Sequence, residues 1–563
     1  MARSLLDWLL ILLALVIYVA GLQLNIMDVD SAQYASISQE MEQSGSYLEV
    51  KNKGQDYLDK PPLLFWTSAL SFKLFGFHNW SFKLIPFLLA LASIRATHRL
   101  GRLLADEQVG RWAAVMLGSC QAYFLFTLDL RTDTMLTACI AIAIAQIMEF
   151  SIGDGRFYRL ISGFLFVGLA MLAKGPIGLM IPMIAIGAHF LFNREWKKIF
   201  QWHWLFGLLV TALVLAPMSY GLYTQFDQAT DKSVLMPGPS GMTAREGISG
   251  LRFYFWEQSF GRITGENVWK DSSGPFFLVH NFLWSFAPWS FFACIGLFWK
   301  LRKELRSLIH TGKGDWLSLA GFLIPFVILS RSQFKLPHYI FPLFPFAALI
   351  TAEFMKSWLE QLFKSGWSKA ALYGLSGLTI ASIGALGALM LFWVFPVGTP
   401  VRLLFALSFV GALALLILRP ARAGWIRSMA LVSLGANLVM NMHFYPQLLR
   451  YQGGSELAAI ARSKGATPES TVRMGQFSYS FDVYMETLVA SAGKPSALKS
   501  GQTFVYTHEK GLKRLRSSKR RIAEEIVHEG YPITNLSTDF LDPVKRPKAL
   551  RKSYLVILEP EEP

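Results

Sequence analysis

Cysteine, charge and glycine-rich phosphate motifs are all scarce in this chain, and each scarcity excludes something. The three cysteines among 563 residues, Cys120, Cys139 and Cys294, fall inside apolar stretches without the paired spacing of a metal or redox site, so neither a disulfide nor a cysteine metal centre is expected. No nucleotide-binding glycine loop is evident, which removes the usual signature of a nucleotide-dependent enzyme. There is no internal repeat and no low-complexity tract. Only 16% of the residues are charged against 53% hydrophobic, and the apolar residues come in long blocks. That composition is too apolar for an ordinary soluble protein and points to a membrane.

The first block, Leu5 to Leu24, follows a single Arg3 and ends in Tyr18-Val19-Ala20-Gly21. A bulky Tyr stands where a signal-peptide cleavage site wants a small residue, so the block reads as a retained anchor. Taking about 20 apolar residues per crossing, the chain holds about 13 spans, centred near residues 15, 89, 120, 143, 166, 184, 212, 287, 322, 346, 382, 410 and 436. The net charge of +16 sits mostly in short loops between these blocks. It is therefore read as membrane topology, not as a nucleic-acid surface. With the N-terminus inside, the loops holding Arg99, Arg102 and Arg111, then Arg156 and Arg159, Arg194 to Lys198, Lys300 to Arg306, and Arg419 to Arg427 are cytoplasmic. The opposite face receives two long loops, 25–78 and 223–274, and the region from 446 onward. The expected architecture is mainly α: a membrane part over 1–445 and a small outer α/β domain over 446–563. Thr503 to Tyr506 and Ser553 to Leu558 read as strands there, and Arg520 to His528 as a helix.

Several ionisable residues fall on the outer side under this one topology. Asp30 stands in the first outer loop, which also carries Tyr57-Leu58-Asp59-Lys60-Pro61-Pro62. The 14 or so apolar residues after Pro61 are too few to span and suggest an interfacial helix. Lys60 would sit at the membrane surface, either as a snorkelling lysine or as a site residue. The short turn Leu130-Arg131-Thr132-Asp133 either closes with its own ion pair or serves the site. Lys174, before Gly175-Pro176, lies between apolar runs and needs an anion or a carboxylate. The turn Arg331 to Tyr339, with Lys335 and His338, is basic where the topology predicts little positive charge, and a phosphate at the outer surface would account for it. A carboxylate to accept a proton and cations to receive a departing phosphate are the groups that transfer from a lipid phosphate requires.

In order along the chain, Asp30-x-x-x-Tyr34, Tyr57-Leu58-Asp59-Lys60-Pro61-Pro62, Arg131-Thr132-Asp133, Lys174-Gly175-Pro176, Phe260-Gly261-Arg262-Ile263-Thr264-Gly265-Glu266 and Lys335-Leu336-Pro337-His338-Tyr339 resemble the motifs of bacterial aminoarabinose transferases. These are similar to protein O-mannosyltransferases and share the C-type glycosyltransferase fold. The resemblance covers roughly residues 5 to 445. It implies an inverting glycosyltransferase using an undecaprenyl-phosphate monosaccharide, with lipid A, a glycan or a protein as acceptor. It implies Asp30 as base or acceptor-handling acid and Asp133 as the second acid. Tyr57, Lys60, Arg262 and Tyr339 would hold the carrier phosphate, joined by Lys335 from the reading of its turn. Asp59, Arg131, Lys174 and His338 would support them. The family commonly has Asp-Glu in the first loop, and this chain has Asp30-Ser31. That departure leaves the acceptor and any divalent metal open. Membrane lipids are the surroundings and nucleic acid is not an expected partner. The competing class is a transporter or flippase for a lipid-linked sugar, which would place its binding groups near the midplane of two related halves.

Overall fold

The computed structural model describes residues 2–126, 128–229, 232–238, 241–259, 261, 273–310, 312–362, 366–418, 424–499, 501–518 and 520–559. It is a mainly helical, multi-pass membrane architecture. Among the described residues seven helices are long and apolar enough to cross a bilayer, or eight if the bent pair Phe277–Ser285 and Ser290–His310 counts as one span. Shorter apolar helices, among them Leu63–Phe75, Ile177–Phe192 and Trp316–Arg331, fall below that length. The expectation of about 13 spans also counted blocks near residues 184 and 322, which form the shorter helices Ile177–Phe192 and Trp316–Arg331, and one near 120, which is cut after Ser119 into Glu107–Ser119 and Gln121–Leu125.

At the centre lies the helix Thr132–Ile152, the majority of whose residues are buried. A four-residue turn sends the chain back as Phe157–Lys174. Both helices are about 30 Å long at 1.5 Å per residue, so the hairpin returns Lys174 to the level of Asp133. Gly175, with φ +93°, and Pro176 then reverse the chain into Ile177–Phe192. Small residues let neighbouring helices approach. A Cβ on Gly101 would lie 2.8 Å from the Gly110 Cα, and one on Gly178 would lie 2.5 Å from the Ala170 carbonyl carbon. The helix after Pro61-Pro62 forms as Leu63–Phe75 and stops at Gly76, whose φ is +75°.

Residues 453–558 build a five-stranded sheet in the order Ala490–Ala492, Thr471–Met474, Phe504–His508, Arg551–Leu558, Ile522–Gly530. The first three strands are parallel and the last two join antiparallel. Two apolar clusters are built from its residues, one of them including residues of the helix Gly453–Ser463. The expected helix at Arg520 to His528 is instead the edge strand Ile522–Gly530, with a register irregularity between Ile522 and Glu524. Its Ala and Glu residues favour a helix locally, but pairing with Arg551–Leu558 overrides that propensity, and charges suit an exposed edge. Glu524 and Glu525 are held there by Lys464 and Arg516.

This sheet region is fastened to the segment after the first helix. The Gln452 amide donates to the Ile26 carbonyl at 2.9 Å and accepts from the Asp28 N–H at 2.8 Å. Asp28 accepts from the Ser480 N–H at 3.0 Å and from its hydroxyl. Lys53 pairs with Asp482 at 2.7 Å.

The helix crossings yield a stability prediction. Gly110→Val should lower the thermal unfolding midpoint in detergent, costing about 1–3 kcal/mol through overpacking, because a Cβ there would meet the His98 carbonyl oxygen at 2.4 Å. Gly187→Ala, where nothing lies within 4 Å, should be neutral or stabilising by up to about 1 kcal/mol. Equal effects of the two substitutions would refute the packing account.

Candidate active site

The helix Asp30–Ser44 starts with Asp30, and its successive turn places Gln33 and Tyr34 beside that carboxylate. These residues form one wall of a cavity of about 580 Å³. The hairpin at 51–56 and the segment Tyr57 to Lys60 form a second wall. Asp133 and Lys174 enter from the central helix hairpin, His338 and Tyr339 from the short helix Pro337–Leu343, and Phe477 and Tyr479 from the sheet region. The structure thus brings Asp30, Tyr57, Asp59, Lys60, Asp133, Lys174, His338 and Tyr339 to one cavity.

Asp133 is 2% exposed. Its Oδ1 meets the Lys174 ammonium at 2.5 Å and its Oδ2 lies 3.6 Å from His338 Nε2. The same ammonium sits 3.9 Å above the Tyr339 ring, a cation–π contact that helps compensate its desolvation. Lys60 pairs with its neighbour Asp59 at 2.5 Å.

Arg131 does not pair with Asp133, as a closed turn would require. It reaches Asp30 Oδ2 with Nη1 and Asp129 Oδ2 with Nε at 2.8 Å. Burial works against the Arg131 charge, but Asp129 and Asp30 more than offset it and push its pKa up. Arg131 therefore stays charged and fixes the orientation of the Asp30 side chain. Ser31, where the resembled family has an acid, is wholly buried and donates to the Leu130 carbonyl at 3.0 Å. It ties the Asp30 helix to the turn carrying Arg131. Tyr34 is also buried, and burial first, then Asp30 and Asp59, keeps its phenol protonated.

Lys335 is placed elsewhere. It is 6% exposed, with its ammonium directed at the carbonyls of Ser332 and Ser330 at 3.1 and 3.4 Å, and it does not line the cavity. Arg262 lies outside the described residues. Among the described residues no group of three or more His, Cys, Asp or Glu is arranged to hold a metal ion. Asp133 is already paired with the Lys174 ammonium and lies 3.6 Å from the His338 ring.

A second, apolar groove adjoins the polar cavity and shares Lys60, Asp133, Lys174 and Tyr339 with it. Its walls are the stripe Ile177, Ile181 and Ile184 on one short helix and Pro325, Ile328 and Leu329 on another. The cations stand where a polar space meets an apolar one.

Residues not singled out from sequence also line the polar cavity. Gln33 could have been found by its helical spacing from Asp30. Asn52, Lys53, Phe477 and Tyr479 carry no local signal, because they meet across more than 400 residues: the Tyr479 hydroxyl accepts from Gln33 at 3.0 Å and from Asn52 at 2.9 Å.

Residues 59–220 match the family described as dolichyl-phosphate-mannose-protein mannosyltransferase. An undecaprenyl phosphate-alpha-4-amino-4-deoxy-L-arabinose arabinosyl transferase of Shewanella sediminis is 26% identical over 58% of this chain and 55% of its own length. One from Edwardsiella ictaluri is 26% identical over 64% and 60%. The match thus spans less than two thirds of those relatives. ArnT from Cupriavidus metallidurans bound to undecaprenyl phosphate superposes with a TM-score of 0.72 at 17% identity, covering 97% of each chain. The chain has the ArnT fold. In sequence it resembles the aminoarabinose transferases, as its ordered motifs implied, and the ArnT-like superposition includes the sheet region as well as the helices, since the apo ArnT structure covers 99% of this chain.

One titration is testable where the segment after the first helix meets the sheet region. Burial pushes the Asp28 carboxyl up to about 6 from an ordinary 3.8, against the hydrogen bonds from Ser480 and the charge of Lys53, which pull it down. Between those values the folded protein holds a proton that the unfolded chain releases. This group therefore contributes stability below the lower value that is lost as pH rises through the upper one. Asp28→Asn should flatten that part of the stability–pH curve, read as unfolding midpoints between about pH 4 and 7. Parallel curves for the two proteins would remove Asp28 from the titration.

Proposed function

We propose that this chain is an inverting glycosyltransferase that takes a monosaccharide from a polyprenyl-phosphate carrier at the outer face of the bacterial inner membrane. The observation carrying this reading is the junction of the two spaces: Lys60, Lys174 and Tyr339 line both the polar cavity and the apolar groove. A lipid phosphate is a molecule with one end for each. The isoprenoid end suits the groove between the two short helices, and the phosphate suits the cations at its mouth. The arabinosyl transferases that resemble this chain are named for undecaprenyl phosphate carriers, and an ArnT of the same fold has been seen with undecaprenyl phosphate. Both support the choice of carrier. No observation favours a transport reading.

In the proposed step an acceptor oxygen attacks the anomeric carbon and forms the new glycosidic bond. The bond from that carbon to the phosphate oxygen breaks on the opposite side, which inverts the centre. Asp30 takes the acceptor proton, and the departing phosphate keeps the electron pair, its charge stabilised by Lys60 and Lys174 with a hydrogen bond from the Tyr57 phenol. Asp133 is the anchor that holds Lys174 and His338 in position. About 13 crossings, with loops 25–78 and 223–274 and the sheet region of 446–563 outside, form the topology of this reading.

Asp30→Asn should lower transfer from polyprenyl-phosphate sugar by about 10²–10⁴-fold, the usual contribution of a general base, while leaving carrier binding intact. Near-normal turnover would remove Asp30 from the mechanism. Lys60→Ala should instead weaken undecaprenyl phosphate binding by about 10- to 100-fold, as loss of a charged hydrogen bond of about 1.5–3 kcal/mol implies. Unchanged carrier affinity in that variant would refute the phosphate assignment.

A further inference from the structure

The end of the helix bundle away from the cavity carries charges that the proposed transfer does not use. Asp133 and Glu149 stand near opposite ends of the central helix Thr132–Ile152, about 24 Å apart at 1.5 Å per residue. At the Glu149 end this helix meets the last turns of Asn79–Leu104, where Arg95, Arg99 and Arg102 recur at helical spacing on one face. The three arginines are treated differently. Arg99 donates to both Glu149 oxygens, from Nε at 2.7 Å and from Nη2. Arg95 and Arg102 are exposed, and among the described residues neither is paired with a carboxylate.

Arg95 stands about 10 Å deeper along the helix than Arg102. Its Nη1 meets His98 Nδ1 at 3.1 Å, and His98 Nε2 meets the Glu107 carboxylate at 3.0 Å. An arginine only donates, so Nδ1 accepts and the ring's N–H points to Glu107. The imidazole is then neutral and adds no negative charge beside Arg95, while Glu107 is shared with Arg111 at 3.2 Å. Leu88, Arg95 and Arg102 are spaced by seven residues and fall almost in line along the helix, with Leu88 also exposed. The first helix runs antiparallel alongside: Trp8 sets its ring edge-on to His98 with centroids 5.4 Å apart, and the Gly21 carbonyl accepts from Lys83 at 3.2 Å. Trp8, Leu12 and Val16 are exposed on it. The shared face is apolar along its length and cationic at its end, with an indole near the boundary. A guanidinium facing lipid without a counter-charge costs free energy, and Trp at such a level marks the membrane interface.

We propose that this face binds an anionic phospholipid with two headgroup phosphates, held in the leaflet opposite the one that serves the cavity. Arg95 and Arg102 each receive one phosphate, and acyl chains lie along Leu88, Leu12 and Val16. The occupant is a lipid and not a soluble anion because the cations terminate an apolar stripe. A doubly charged head matches two uncompensated cations on either side of an arginine that Glu149 has already neutralised. The site is separate from the cavity and does not depend on the reaction proposed there.

The test uses the full chain purified in detergent, with lipid binding titrated by native mass spectrometry. Cardiolipin, with two headgroup phosphates, should bind in preference to phosphatidylglycerol, with one, and to zwitterionic phosphatidylcholine. The double variant Arg95→Gln, Arg102→Gln should lose about 30-fold in cardiolipin affinity, taking about 1 kcal/mol for each arginine near the membrane surface. Arg156→Gln, at the same end of the bundle but paired with Asp154 at 3.4 Å, should leave that affinity unchanged. The double variant Arg95→Lys, Arg102→Lys keeps both charges and should retain the cardiolipin preference; its loss there would give the arginines a structural role and overturn the site. Excess inorganic phosphate and saturating undecaprenyl phosphate should both leave cardiolipin bound. Displacement by the first would assign the cations to a soluble anion, and displacement by the second would deny a separate site. Equal binding of the three phospholipids, an unchanged affinity in the Gln variant, or an equal loss in Arg156→Gln would each overturn the proposal.

Discussion

A carboxylate removed from water must meet a cation, and the buried Asp133 meets Lys174 because a helix hairpin brings the second back to the first. Much of the site's geometry hangs on this contact. It fixes how far the returning helix climbs before Gly175 and Pro176 reverse it, and so where the apolar stripe of Ile177–Phe192 begins. It holds the Lys174 ammonium above Tyr339, linking the central hairpin to the segment at 337–343. A buried ion pair is weak evidence for stability, because desolvation offsets much of its attraction. Its value here is positional: with either partner removed, the other would be an uncompensated charge at the mouth of the groove.

The two acids of the site differ through their surroundings. Asp133 has one oxygen on the Lys174 ammonium, the other 3.6 Å from the His338 ring, and almost no exposure, so it presents little of its carboxylate to an incoming group. Asp30 shares its partner, Arg131, with Asp129, and lines the open cavity. The arginine holds it in place while leaving acceptor capacity on the carboxylate. This division of labour is why the proposed chemistry assigns the proton to Asp30 and the electrostatic framework to Asp133.

What could be read beforehand follows the range of the interactions involved. Pro61-Pro62 and Gly76 bound a 13-residue helix through local backbone preferences, and Leu63–Phe75 forms between them. The hairpin could be inferred from two apolar runs joined by a short turn, which placed Asp133 and Lys174 on one side. Choice of partner could not. Arg131 and Asp133 are two residues apart, yet the helix starting at Thr132 turns Asp133 inward, while Arg131 stays extended and reaches back to Asp30. Lys335 shows the same limit. Its position on a basic turn suggested a phosphate ligand, but its ammonium folds onto the carbonyls of its own turn. In the sheet region, Phe504–His508 and Arg551–Leu558 were legible from β-branched and aromatic runs, whereas Ile522–Gly530 depends on its neighbour for being a strand at all. Phe477 and Tyr479 reach the site only through tertiary docking.

Every lysine facing the polar cavity already has a carboxylate: Lys53 has Asp482, Lys60 has Asp59 and Lys174 has Asp133. A phosphate entering the groove must therefore share or displace an existing partner, and the three pairs differ in how readily they yield. Lys174 and Asp133 come from different helices, and Asp133 is almost fully buried, so separating them would strand its charge. Lys53 is clamped between Asp482 and two aromatic rings. Lys60 and Asp59 are adjacent in sequence, and both side chains keep contact with solvent, at 18% and 27% exposure. Their ion pair costs little to open, because water can solvate the released carboxylate. In the proposed reaction Lys60 is thus the cation that moves onto an arriving phosphate, while Lys174 contributes a fixed field from where it stands.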